Sequence, residues 1–373
     1  MKILLLSNPV SSHTIKWVNA LTEKGVEICL VSLNPAGEKA FNNPALLQTV
    51  NIGFTSKSVS RKPGSLSKVR YLKLLSAIRK AIKNFHPDVI HSHYVSSYGL
   101  LGALTGFHPF VLSVWGSDIY RIPEKSFLHK WLIKYSLKKA DWVLSTSKAM
   151  VKNIHQYSNK DVLVTPFGVD TDFFKPGKTD TGHKVRIGTV KLLKKIYGVD
   201  ILIRAFNIVL KRNEGMDLHL LIVGDGPERR NLERLAEKLG LSDHVEFAGY
   251  QEPGNIPYYL NKMDIFSALS VMDESFGVSL LEAGACGLPS VVSDVPGFKE
   301  IVRDGETGFV VPRKDARAAA DALEKLMINK TFRESMGRNA RKHVKDFYSL
   351  EESVNKMLGI YKKATKEAYS KKI

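Results

Sequence analysis

The chain has 373 residues, of which 44% are hydrophobic and 25% charged, the balance of a soluble globular protein long enough for two domains of ordinary size. Its net charge is +18, and its two cysteines, Cys29 and Cys286, stand far apart without a CxxC partner, which excludes a disulfide framework or a cysteine-rich zinc site and fits a reducing cytoplasm. The opening MKILLLSNPV is too short for a signal-peptide apolar region with its cleavage site.

In chain order, Ile3–Leu6 reads as a first buried parallel strand. Thr14–Lys24 follows as a helix, Ile28–Val31 as a strand and Leu66–Asn84 as a helix. Val89–His91, Val111–Val114 and Val143–Thr146 read as strands, with Tyr98–Thr105 and Leu128–Ala140 as the helices between them. The second half repeats the grammar. Its strands are Val185–Thr189, Leu218–Val223, Val245–Ala248, Ile265–Ala268, Ser290–Ser293 and Gly308–Val311. Its helices are Asp200–Asn213, Arg229–Leu239, Asn255–Asn261, Val278–Ala285 and Ala316–Leu326. This βαβ alternation predicts an α/β protein of two Rossmann-like, doubly wound parallel sheets. The expected divisions are a first domain at 1–170, a linker at 171–184, a second domain at 185–345 and a terminal helix at 346–373.

One stretch tests the expectation of solubility. Val89 to Ser117 contains no Asp, Glu, Lys or Arg, but it holds His91, His93, His108, Pro109 and several serines and glycines. A span needs about 20 mostly apolar residues, so this stretch reads as strand, helix and strand.

The charge is uneven. Residues 1–170 hold 22 Lys and Arg against 9 Asp and Glu, and no acid occurs from Phe41 to Pro87. That segment carries Lys57, Arg61, Lys62, Lys68, Arg70, Lys73, Arg79, Lys80 and Lys83. Val69, Leu72, Leu75, Ile78 and Ile82 fall at helical spacing within it. A second basic helix, KWLIKYSLKK, covers Lys130–Lys139. Each cation near an anionic bilayer contributes about 1 kcal/mol before screening, so the first domain is expected to adsorb to an anionic membrane surface. A solvated helix covering a sheet explains the apolar face but not the missing acids. Nucleic acid is not the expected partner, because no nucleic-acid-binding signature and little aromatic interleaving accompany the charge.

The densest chemistry lies in Leu269–Gly308, LSVMDESFGVSLLEAGACGLPSVVSDVPGFKEIVRDGETG. Glu274 and Glu282 flank seven residues, and Ser275-Phe276-Gly277 reads as a loop turning into a helix. A helix start offers free N–H groups and a positive dipole end that suit a phosphate. Carboxylates on either side of it could grip hydroxyls flanking a diphosphate. As continuous helix, the eight-residue interval would span roughly 12 Å, comparable to the reach from ribose to sugar in a nucleotide-sugar.

This segment resembles the donor-site motif of retaining, family 4-type glycosyltransferases with the GT-B fold: two glutamates with seven residues between them, Phe276-Gly277 after the first and Ala283 after the second. Gly287, Pro289 and Asp304-Gly305-x-x-Gly308-Phe309 also fit. The resemblance extends through Gly168-Val169-Asp170 and Phe174-x-Pro176 to the terminal helix, which in that family crosses back onto the first domain. It implies two domains facing across a cleft, with hinge closure about Lys175–Lys184. Asp170-Thr171-Asp172 forms a nominal DxD on the linker and is not assigned a metal.

What the resemblance implies for the site follows residue by residue. Glu274 would contact the transferred sugar and its phosphate, and Glu282 the ribose. Phe276, Gly277 and Val278 would offer backbone N–H groups. Gly224-Asp-Gly226 is a strand-end turn without the third glycine of a dinucleotide fingerprint, and would lie beside the nucleotide; Gly249-Tyr250 would lie near the base. The family's Arg and Lys at the leaving diphosphate fall on Lys191 and on Lys195 or Lys194, in a loop two residues longer than usual. His93 ends a Pro-Asp-x-x-His-x-His strand and would face the cleft. Trp115 stands where many relatives carry His, so Trp115 and Asp118 would instead shape the acceptor side, with Ser11, Ser12 and His13 in a loop that lacks the common Gly-Gly. The expected activity is retaining hexosyl transfer from a nucleotide-sugar, a UDP-sugar before others, to a lipid-linked or polysaccharide acceptor. The scheme needs no metal and no cofactor beyond that co-substrate. Such an enzyme would sit in the cytoplasm, peripheral on the inner face of the cell membrane. The rivals are a UDP-sugar 2-epimerase-like enzyme on the same architecture and a non-catalytic basic binding protein.

Overall fold

The structure, a computed structural model, describes residues 1–35, 41–52, 68–177 and 184–370, without the side chains of 68–72. Lys57, Arg61, Lys62 and most of the expected hinge lie outside the described residues. The chain divides into two compact units, Met1–Phe167 with Ser353–Ile373, and Gly168–Glu352.

The first unit runs β1 (Lys2–Leu6), α1 (Ser12–Glu23), β2 (Glu27–Ser32), β3 (Leu47–Asn51), α2 (Lys68–Phe85), β4 (Val89–His93), α3 (Tyr98–Thr105) and β5 (Phe110–Val114). It continues through α4 (Ser117–Tyr120), α5 (Phe127–Lys139), β6 (Trp142–Ser145), α6 (Lys148–His155) and β7 (Val162–Val164). Among the described residues its strands form one parallel seven-stranded sheet in the order β3-β2-β1-β4-β5-β6-β7. Ile3–Leu6 and Val89–His93 are buried throughout, because helices cover both faces of a doubly wound sheet. The uncharged Val89–Ser117 stretch is therefore β4, α3 and β5, and among the described residues no helix is long and apolar enough to cross a membrane.

The second unit runs β8 (Val185–Val190), α7 (Val199–Arg212), β9 (Leu218–Val223), α8 (Arg229–Lys238), β10 (Val245–Gly249), α9 (Ile256–Asn261), β11 (Ile265–Ala268) and α10 (Val278–Ala285). Then come β12 (Ser290–Ser293), α11 (Pro296–Lys299), β13 (Gly308–Val311), α12 (Ala316–Ile328) and α13 (Lys330–Tyr348). Its described strands form a six-stranded parallel sheet ordered β10-β9-β8-β11-β12-β13. Phe206, Leu220, Ile222, Ile265, Val291 and Leu323 lie in its core.

A last helix, α14 (Leu350–Ser370), starts in the second unit, where the Leu350 N–H donates to the Val169 carbonyl at 2.8 Å. From Ser353 it belongs to the first unit. Val354, Met357, Ile360, Tyr361 and Ala364 form its buried stripe at helical spacing.

Each sheet reverses its winding once, at β1/β4 in the first unit and at β8/β11 in the second. Such switch points, at the carboxyl ends of the strands, are where open α/β sheets bind ligands.

Candidate active site

The switch point of the second unit brings Lys191 and Glu274 together, while Gly249 and Tyr250 lie at the end of β10, an edge strand. Lys191 follows β8 directly, and Glu274 lies in the loop after β11. The Lys191 ammonium donates to Glu274 Oε2 at 2.7 Å, and each side chain is only 16% exposed. The ammonium also lies 4.4 Å from the Tyr197 ring centroid and 5.9 Å from that of Phe298, a cation–π setting. Ser270 Oγ donates to Glu274 Oε1. On the residue before Glu274, Asp273 Oδ1 accepts from the Arg313 guanidinium at 2.6 Å, and that guanidinium also donates to the Asp294 carbonyl. Glu274 is thus held on one carboxylate oxygen by a hydroxyl and on the other by a cation that keeps two further N–H donors.

Glycines set the backbone of this site. Gly224 has φ +132°, and a Cβ there would overlap the Lys191 carbonyl oxygen. That close approach lets the Lys191 N–H donate to the Val223 carbonyl at 2.9 Å and the Leu193 N–H to that of Asp225 at 2.9 Å. The Gly224 N–H in turn donates to the Gly249 carbonyl at 2.8 Å. The Gly-x-Gly turn therefore works first as a seat for the Lys191 loop. Gly297 has the same role opposite, since a Cβ there would overlap the Glu274 carbonyl oxygen.

Phe276 is buried, its ring centroid 6.0 Å from that of Tyr348, so it anchors the loop. Gly277 caps α10 without a side-chain hydrogen bond, its carbonyl accepting from Leu280 and Leu281. Val278 and Ser279 open the first turn, and their N–H groups precede the first intrahelical hydrogen bond. Only 278–285 is helical, so Glu274 sits on a loop and the half-buried Glu282 in the second turn of α10; the all-helix spacing does not apply. Tyr250 is 65% exposed just past β10. Lys194 and Lys195 are exposed around a single 3-10 turn, and of the three lysines it is Lys191 that reaches Glu274. Asp170 Oδ1 accepts from the N–H groups of Asp172 and Phe173, so the DxD builds a turn. Among the described residues no group of three or more His, Cys, Asp or Glu is placed to hold a metal ion.

The switch point of the first unit holds an aromatic and imidazole cluster. His93, the last residue of β4, shares a 2.8 Å hydrogen bond between Nδ1 and Ser7 Oγ, which in turn meets Thr14 Oγ1 at 2.8 Å. The His93 ring lies 4.4 Å from Trp115 and 4.7 Å from His91. His13, in the first turn of α1, stacks on Phe167 at 3.9 Å and meets Trp115 edge-on at 5.8 Å. Its Nδ1 is buried without a hydrogen-bond partner. Burial, the largest cause in each case, lowers His13 to about 4 and His91 to about 3, and holds His93 well below its usual range. These imidazoles are neutral at physiological pH. Ser12 is exposed at the start of α1.

Asp118 corrects the expectation that it lines the acceptor side. It is fully buried, and its carboxylate accepts from the N–H groups of Val95 at 2.9 Å, Trp115 at 3.2 Å and Gly116 at 2.7 Å. It positions Trp115 and presents nothing outward. Sequence reasoning missed Ser270, Tyr197, Phe298, Ser7 and Phe167. Ser270 alone had a signal, a hydroxyl four residues before Glu274.

Residues 169–343 match the family model described as glycosyl transferases group 1, and residues 2–147 match that described as glycosyl transferase 4-like. The chain is 28% identical to N-acetyl-alpha-D-glucosaminyl L-malate synthase of Bacillus anthracis over 305 residues, 78% of either chain. It is 30% identical to D-inositol 3-phosphate glycosyltransferase of Corynebacterium urealyticum over 308 residues, 74% of this chain and 71% of that one. Among solved structures, Anabaena Alr3699/HepE in complex with UDP superposes with a TM-score of 0.81 at 19% identity, covering 97% of this chain and all of that one. The two parallel-sheet units have the GT-B fold.

Proposed function

The chain belongs to the group 1, family 4-type glycosyltransferases, and from that premise we propose that it moves a sugar from a UDP-sugar, with retention of anomeric configuration, to a lipid-linked sugar or a growing surface polysaccharide. The single observation that carries the reading is the Lys191–Glu274 pair at 2.7 Å, set at a topological switch point beside the start of α10. Departure of a nucleoside diphosphate builds negative charge, and a fixed cation there lowers the barrier. Lys191 supplies that charge through the N–H donors that Glu274 leaves open, so the scheme calls for no metal. Glu274 accepts from a sugar hydroxyl, Glu282 from the ribose, and the first turn of α10 donates to phosphate oxygens. No side chain is assigned as nucleophile: the acceptor hydroxyl enters on the face the diphosphate leaves, and that phosphate takes its proton. The UDP named with Alr3699/HepE supports a uridine donor. The basic surface of the first unit supports adsorption to an anionic membrane carrying the acceptor, on its cytoplasmic face.

The test is a thermal-shift panel of UDP-, GDP- and ADP-sugars, with Glu282→Ala as control. A donor at 100 times its dissociation constant should stabilise by about 2.7 kcal/mol, and the variant should lose most of that. Product NMR then reads the anomer, and chelator should leave the rate unchanged. No shift with any nucleotide-sugar would overturn the donor assignment. An inverted product would overturn retention.

A further inference from the structure

Helix α5 carries apolar side chains on two opposite faces. Ile133 and Leu137 are buried within the first unit. On the other side Phe127 is 84% exposed, Leu128 60% and Trp131 52%. At roughly 100° per residue, Phe127, Trp131, Lys134 and Lys138 fall on one stripe facing away from the buried pole. The Trp131 ring lies nearly parallel to Tyr135, with 5.5 Å between centroids. Single exposed apolar residues are ordinary, but three within five positions are a patch that asks for a partner.

The surroundings select that partner. From Phe127 to Lys139 the helix has Lys130, Lys134, Lys138 and Lys139 and no acid. Helix α3 packs against both α5 and α2, so the exposed Lys73, Arg79, Lys80 and Lys83 of α2 belong to the same helical layer. Aromatic rings on an outward ridge with ammonium groups around them suit the interface of an anionic bilayer, where rings settle at headgroup depth and lysines meet lipid phosphates.

We propose that α5 is the element that enters an anionic bilayer, with Phe127, Leu128 and Trp131 inserted and Lys130, Lys134 and Lys138 on the lipid headgroups. The inference rests on the membrane reading above and adds an anchor to it. Charge brings the first unit to the surface, and the apolar ridge retains it when salt screens the charge.

The experiment is co-sedimentation of the full chain with vesicles of phosphatidylglycerol and phosphatidylcholine, or phosphatidylcholine alone, at about 0.1 M and about 0.5 M salt. The variants are Phe127→Ser/Leu128→Ser/Trp131→Ser and Lys130→Glu/Lys134→Glu/Lys138→Glu, each checked for an unchanged melting temperature. The wild type should bind anionic vesicles and keep part of that binding at high salt. The serine variant should bind at least roughly tenfold more weakly and lose the salt-resistant part. Trp131 emission should be quenched by bromolipid, a signal that Trp131→Phe removes. Equal binding by the serine variant would overturn insertion and leave electrostatic adsorption standing. No binding of the wild type to any vesicle would overturn both. A lipid-free dimer that the serine changes dissolve would assign the ridge to a second copy instead.

Discussion

At the scale of single residues, the site depends on a cation and a carboxylate that hold each other in place. Glu274→Gln keeps the shape of the side chain but removes the charge that fixes Lys191. Lys191→Met removes the charge that the departing diphosphate needs. Each should lower kcat by about 10²–10³ with a smaller effect on KM, read by initial rates once the donor is known. Equal rates in Lys191→Met would move the role to Lys194 or Lys195. In Gly224→Ala the added Cβ would overlap the Lys191 carbonyl at a φ that disfavours side chains. We expect it to cost about 1–3 kcal/mol in denaturant unfolding and to reduce activity alongside Lys191→Met. The buried imidazoles make a pH prediction. The folded chain holds His91 to about 3 and His13 to about 4, against an ordinary 6.5. Below pH 6.5 the unfolded chain therefore binds protons that the folded chain refuses, and stability falls as pH falls from 6.5 towards those values. At pH 5 the loss should be about 2 kcal/mol for each histidine. Urea unfolding at pH 7, 6 and 5 checks it, and His13→Phe should flatten part of the slope.

At the scale of elements, legibility followed burial. The strands β1, β4, β5, β9 and β11 are short apolar runs bounded by turns, and their positions could be read within a residue or two. Strand β3, LQTVN, is an edge strand with exposed Gln48, Thr49 and Asn51. Strand β7 has three half-buried residues. Strand β3 lacks the apolar signal that full burial writes into a sequence, and β7, though apolar throughout as Val162-Leu163-Val164, is too short to stand out. The donor motif was legible because a loop-to-helix turn and two carboxylates are local in sequence. Ser270 stands only four residues before Glu274, whereas the rings of Tyr197 and Phe298 that flank the Lys191 ammonium come from distant segments brought together by the sheet. Asp118 misled because an exposed acid and one spent on three backbone N–H groups look alike in sequence. Helix α14 offers the element-scale test. Tyr361 OH meets His91 Nδ1 at 2.6 Å, and His91 Nε2 meets Ser113 Oγ at 2.8 Å. Tyr361→Phe leaves a buried ring nitrogen without its partner and should destabilise by about 1–3 kcal/mol, measured by urea unfolding at pH 7, where His91 is neutral.

At the scale of the whole molecule, the chain leaves its first unit at Phe167 and returns to it at Ser353. The returning segment brings Val354, Met357, Ile360, Tyr361 and Ala364 into burial. Burying a large apolar side chain stabilises by about 1.5–3 kcal/mol, so these residues together contribute an amount comparable to the about 5–15 kcal/mol that holds a typical domain folded. Removing residues 353–373 should therefore unfold the first unit at a lower temperature while leaving the second unit, with Lys191, Glu274 and Glu282, intact. Calorimetry should show two transitions, the lower one lacking any response to donor and the upper one rising with a UDP-sugar. A truncated chain that still melts in one transition at the wild-type temperature would mean that the segment after Ser353 adds nothing to the first unit. Loss of the donor-dependent transition would mean that the second unit cannot stand without it.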